Sequence, residues 1–173
     1  MQHDAALVAF VEAQHPRVLG TLHLLTNDRH LAEELAAETM ARVAADWRKV
    51  QGLAAPGPYT HRIAVNLARS WFRRRAARQR ALVRHGVDPD VHHDRDTADA
   101  VAVREAVAAL PQRQRACVAL HHFADLTTPE VAEVLGVAPA TVRSNLRDAR
   151  AALRLALGED LAAPQTVEAH HDA

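Results

Sequence analysis

Apolar residues recur at helical spacing through most of the chain. Leu7, Val8 and Val11 form a first set, and Val18, Leu19, Leu22 and Leu25 a second. Pro16 lies between them, where a helix would start. Asn27-Asp28 is a turn and cap signal. Beyond it Leu31, Leu35, Thr39, Val43 and Trp47 fall near one face of a helix, with Glu33, Glu34 and Glu38 elsewhere on the cylinder. Residues 51–58 are rich in Gly and Pro and are predicted to be a loop. Tyr59, Ile63, Leu67 and Trp71 then make the apolar stripe of another helix. From His85 to Thr97 there is no periodicity, only Gly, Pro and dense like charge, which predicts a linker over 85–98. Helical patterning resumes near Asp99 and runs to Leu157. The tail from Gly158 has no apolar face and is expected to be disordered. No stretch alternates as a strand would. The expected fold is all-α, with two small helical domains, 1–84 and 99–157, and a tail over 158–173.

Composition agrees with this. Of 173 residues 49% are hydrophobic and only 3% aromatic. The apolar positions are mostly Ala, Leu and Val, a helix-rich mixture. No apolar run approaches the ~20 residues of a membrane span, and Met1-Gln2-His3-Asp4 lacks the basic-then-apolar pattern of a signal peptide. The single cysteine, Cys117, sits in an apolar stretch and reads as a small core residue. A cytoplasmic protein is expected, with no stable membrane insertion.

Charge changes the picture more. The formal net charge is zero, yet the signs are segregated. Thr60 to Arg84 holds eight arginines (62, 69, 73, 74, 75, 78, 80 and 84) and no acid, whereas His85 to Ala100 holds five aspartates (88, 90, 94, 96 and 99) against Arg95. A solvated helix face usually mixes both signs, so this pattern points to a polyanionic partner.

The stretch from Thr127 to Arg147 is the most informative. Thr127 and Glu130 have capping-box spacing and Pro129 suits a first turn. Ala132, Gly136 and Val142 have the spacing of a helix-turn-helix: a small residue where two helices touch, a glycine free to take positive φ, and an apolar residue pinning the second helix. Pro139 starts that second helix. Thr141, Arg143, Ser144, Asn145 and Arg147 would lie on the portion that enters a major groove, where Arg and Asn suit bidentate base contacts, and Arg150, further along the helix, is a candidate for a DNA phosphate.

With both halves in view, the chain resembles the extracytoplasmic-function group of the sigma-70 family of bacterial RNA polymerase sigma factors, and within it an actinobacterial subgroup. Ala109-Leu-Pro-Gln-Arg-Gln-Arg-Ala116 is similar to the opening of the family's promoter −35 domain, His30 to Thr39 to its polymerase-docking helix, and Tyr59 to Arg75 to its −10 helix. The resemblance implies a transcription-initiation factor without enzymatic activity, with core RNA polymerase, promoter DNA and an anti-sigma factor or other regulator as partners. It implies polymerase contacts by Leu31, Glu34, Leu35, Glu38 and Thr39. For the −10 element it implies Asn66, Arg69, Ser70, Trp71, Arg73 and Arg74, with Asn66 beside a flipped base and the arginines on phosphates. Trp71 lies on the apolar stripe, so core packing and base stacking both stay open. The linker, ~46 Å at full extension, exceeds one turn of DNA at ~34 Å, so the two domains could address separate sites; its aspartates either mimic a nucleic-acid backbone or are simply solvated. His61 stands where a larger aromatic or aliphatic is usual, Ala140 where glycine is frequent, and Asn145 where a basic residue is common.

Two other readings compete with this one. A one-component helix-turn-helix regulator with a helical N-terminal sensor shares the second half but leaves the arginine helix unexplained. A helical metalloenzyme is suggested by twelve histidines, but they fall singly or as the pairs 92-93, 121-122 and 170-171, without ligand spacing. No catalytic residue, metal ligand or cofactor is expected.

Overall fold

The structure is a computed structural model that describes residues 2–83 and 98–158. The expected linker with Asp88, Asp90, Asp94 and Asp96, Arg84 before it, and the tail beyond Gly158 lie outside the described residues. Among the described residues every regular element is helical: α1 (Gln2–Thr26), α2 (Arg29–Ala45), α3 (Trp47–Val50), α4 (Pro56–Val83), α5 (Ala98–Ala109), α6 (Gln112–Val118), a π-helical turn (Ala119–Phe123), α7 (Thr128–Leu135) and α8 (Pro139–Leu157).

Three boundaries differ from those the sequence predicts; one is that α2 stops at Ala45, which leaves Trp47 in α3. Pro16 does not start a helix; it lies inside α1. An interior proline removes one N–H bond and crowds the preceding turn, at a cost of ~3 kcal/mol. Its neighbours offset this, since Val18 and Leu22 are fully buried and pack with Leu31, Leu35 and Leu67. The Gly/Pro-rich segment is also shorter as a turn than expected, because Pro56, Gly57 and Pro58 form the first turn of α4. First-turn N–H groups have no intrahelical acceptor, so proline loses nothing there. The Asp28 cap forms as its position predicts: its carboxylate accepts from the Leu31 N–H at 3.0 Å.

The first half buries α1, α2 and α4 against one another, with Trp47, Val43 and Val50 closing one end beside Phe10 and Tyr59. The second half has its own core of Val107, Leu110, Cys117, Leu120, Val131, Val142 and Leu146, but that core also takes in Leu24 and Leu25 of α1 and Val65 of α4. The two halves are therefore docked through apolar contact. Arg115 reinforces the junction: its guanidinium donates to the carbonyls of Leu110 (3.1 Å) and Ala108 within the second half and to Leu25 at the end of α1 (3.4 Å). The π-helical turn has no signature in the sequence pattern; the His121 ring hydrogen-bonds the Leu126 carbonyl at 2.8 Å and closes the segment leading to α7. Cys117 is buried, and burial pushes its thiol pKa up.

Candidate nucleic-acid and polymerase interfaces

The helix-turn-helix is built as its spacing requires. The Thr127 N–H donates to the Glu130 carboxylate at 2.8 Å and the Thr127 hydroxyl does so at 2.7 Å. Those bonds hold the Glu130 carboxyl below the usual range. Gly136 ends α7 at φ +68°, with open space where a Cβ would go, so backbone conformation and not crowding calls for glycine. Ala132, Val142 and Leu146 are buried. The opposite face of α8 presents Arg143, Arg147 and Arg150 to solvent. Arg147 pairs with neighbouring Asp148 at 3.1 Å, an exposed contact that a phosphate or base edge can replace at little cost.

Ser144 and Asn145 differ from the outward placement expected of them. Both are half-buried, and both donate to the Thr141 carbonyl, at 3.0 and 2.7 Å. Position 145 follows Val142 by three residues and precedes Leu146 by one, which puts it on the shoulder of the buried stripe. There it looks across to α4.

Along α4, Asn66, Arg73 and Arg74 are exposed and Ser70 is half-buried. Trp71 packs against the first-half core, meets Phe72 edge-on at 5.3 Å and carries the Arg75 guanidinium 5.0 Å from its ring centre. A base stacking on the Arg75 side would have to displace that cation. Arg69 is half-buried and donates to the Leu135 carbonyl at 3.3 Å, and Arg62 lies 3.8 Å from Glu133. Both partners stand in the last turn of α7, where unpaired carbonyls give a helix its negative end. Beside these contacts a cavity of about 390 Å³ lies between α4, α6 and the helix-turn-helix, lined among others by Arg69, Phe72, Arg113, Cys117, Thr141 and Asn145. Arg69, read as a −10 contact, and Thr141 and Asn145, read as −35 contacts, thus border one cleft that opens to solvent.

On α2 the polymerase candidates divide. Leu31, Leu35 and Thr39 are buried, and the Thr39 hydroxyl donates to the Leu35 carbonyl at 2.7 Å. Being core, they fix the helix and offer no free surface. Glu34 and Glu38 are exposed, Glu38 beside Arg42 at 2.6 Å.

Several positions carry more than their sequence context signals. Arg62 and Glu133 meet although nothing local pairs residues so far apart. Arg115 has one signal, an arginine directly before an apolar run. His61, an unusual residue for its position, is 1% exposed; its Nδ1 lies 3.1 Å from the Gly57 carbonyl and its Nε2 has no partner. Burial lowers its pKa, against the smaller opposing effects of the Gly57 and Arg17 backbone groups. Among the described residues no three or more His, Cys, Asp or Glu side chains gather as a metal site, and no helix is long and apolar enough to cross a membrane.

Residues 10–78 match the profile of Sigma-70 region 2, and residues 100–153 match Sigma-70, region 4. The chain is 32% identical to the ECF RNA polymerase sigma factor SigK of Mycolicibacterium vanbaalenii over 173 residues, 91% of this chain and 85% of that one. It is 30% identical to the ECF RNA polymerase sigma factor SigL of Mycobacterium tuberculosis, covering 90% of this chain and 92% of its relative. In fold it is similar to the sigma factor RpoE of Bartonella quintana, solved in complex with the anti-sigma factor NepR. The TM-score is 0.75 at 20% identity, over 88% of this chain and 96% of that one.

Proposed function

The chain belongs to the extracytoplasmic-function group of sigma-70 RNA polymerase sigma factors, and from that membership we propose a division of labour among its surfaces. Its role is promoter-directed transcription initiation.

Residues 99–157 read the −35 element, with Arg143 as the principal base reader and Arg147 and Arg150 beside it. The observation that carries this assignment is the pinning of Val142 and Leu146 in the core, which turns Arg143 and Arg147 outward at the start of a helix. Thr141, Ser144 and Asn145 contribute once the second half separates from α4. Residues 1–84 engage the −10 element: Asn66 and Ser70 border the base-reading side of α4, and Arg69, Arg73 and Arg74 hold phosphates. Trp71 braces the helix from the core side.

Polymerase docking falls to Glu34 and Glu38, with Leu31, Leu35 and Thr39 holding α2 in place behind them. The linker over 85–98 spans the two promoter elements. The protein works in the cytoplasm, carries out no chemistry of its own and answers to an anti-sigma factor or comparable regulator; the complex of RpoE, whose fold is similar, with the anti-sigma factor NepR supports the last point. Run-off transcription with purified core polymerase on genomic fragments tests the reading. Discrete start sites that depend on this chain are expected, and none in any fragment would refute it.

A further inference from the structure

The cleft between α4, α6 and the helix-turn-helix carries charge of one sign. Arg69 of α4 and Arg113 of α6 line it, and among the described residues no Asp or Glu does. Arg113 is exposed and makes no hydrogen bond or ion pair among the described residues. Arg69 uses one nitrogen on the Leu135 carbonyl, at 3.3 Å, and its other N–H groups bond nothing described. The wall between them is apolar: Val65, Ala68 and Phe72 from α4, Ala116 and Cys117 from α6, and Leu135 from α7. A neighbouring cavity of about 370 Å³ shares Leu25, Phe72 and Gln112 with the first and adds Arg75 and Arg115, again with no acid among the described residues.

Two kinds of ligand fit such a lining badly. Inorganic phosphate would satisfy the arginines but lose its water to an apolar wall that returns no hydrogen bonds. A neutral hydrocarbon would cover the wall and leave the guanidinium groups partly desolvated without an acceptor. A molecule with both parts meets both needs, and about 390 Å³ lies within the ~300–1,000 Å³ span of small-molecule sites. We propose that this cleft is a binding site for a small amphipathic anion of the fatty-carboxylate kind, its head on Arg69 and Arg113 and its apolar body against Val65, Ala68 and Phe72. The arginine fork matches a carboxylate in geometry as well as charge. Burial pushes the Cys117 thiol pKa up, so the inner wall stays neutral. Such a site needs only the cleft and stands apart from the promoter-reading roles assigned to Arg69, Thr141 and Asn145.

Chemical-shift titration of the isotope-labelled full chain with octanoate, octanol and acetate tests this. Octanoate is expected to give saturable shifts that share one binding curve and cluster at Ala68, Ala116 and Gly136. Octanol, with the same chain and no charge, should bind about ten-fold more weakly or worse, and acetate, with the charge and no chain, should not saturate. R113E, at an exposed position, should weaken octanoate by about ten-fold or more. V137W, at the exposed rim, should fill the cleft and abolish the shifts. R113E alters no buried residue, so it decides the matter even if V137W fails to fold. No saturable octanoate binding below about 10 mM overturns the proposal, as does octanol binding equally well or octanoate affinity unchanged in R113E.

Discussion

Arg115 of α6 donates to the carbonyl of Leu25, 3.4 Å away at the end of α1, while the same guanidinium serves Leu110 and Ala108. One side chain thereby ties the α5–α6 corner to the first half. Its Nε has no partner, and burial lowers its pKa. Arg115→Leu keeps much of the bulk and removes the donors from all three carbonyls. Bonds from a charged donor contribute about 1.5–3 kcal/mol each when well formed, but the group is only half-buried, so a net loss of about 2 kcal/mol is expected. Urea unfolding of the full chain checks this; a midpoint unchanged from the parent would mean that water replaces the arginine without loss.

His61 gives the first half a pH dependence. Burial favours its neutral form and sets its folded pKa below the ordinary 6.5. An unfolded chain then binds the proton more readily, so stability is full above pH 6.5, declines as pH falls through that value, and levels off below the folded pKa. His61→Phe fills the site without a titrating group and should flatten the slope of unfolding free energy between pH 7 and about 5. Parallel slopes for the two proteins would place the proton uptake elsewhere.

How far the fold is legible in the residues varies with how local the cause is. Gly136, Pro139 and the Thr127–Glu130 pair act within one or two turns, and the helix-turn-helix is legible from them. Pro16 suggests a break that does not occur, because the burial that tolerates it comes from α2 and α4, far away in sequence. Leu31, Leu35 and Thr39 share one face as their spacing predicts, but spacing does not say whether an apolar face meets the chain's own core or a partner; here it meets the core. Asn145 reads as outward from its spacing, whereas its position is half-buried and its amide turns back to the Thr141 carbonyl. The docking of the halves through Val65, Leu24 and Leu25 joins segments with no shared motif, and nothing short-range announces it.

Arg73 and Arg74 are adjacent and exposed on α4. If each holds one phosphate, replacing both by Ala should flatten the slope of log affinity against log salt for holoenzyme on promoter DNA by about two units. Filter binding over a range of salt concentrations measures it. An unchanged slope means these side chains stay in water.

The burial of Leu35 makes charge at that position a test of folding and not of docking. The exposed acids are the sharper probe: Glu34→Lys with Glu38→Lys should slow association with core polymerase several-fold and most at low salt, as rim charges do. Far-ultraviolet circular dichroism should be unaltered. Equal association rates for parent and variant would move the polymerase contact off α2.

Transcription from a randomised promoter library with reconstituted holoenzyme tests the central claim most directly, by comparing Arg143→Ala and Arg150→Ala with the parent chain. A bidentate base contact is worth about 1–3 kcal/mol of discrimination. Arg143→Ala should therefore relax preference at one or two −35 positions by roughly five- to a hundred-fold, while Arg150→Ala, further along the helix, weakens all promoters alike. A uniform fall in activity for Arg143→Ala, with base preference intact at every −35 position, would contradict the account and make the outward face of α8 a backbone-binding surface.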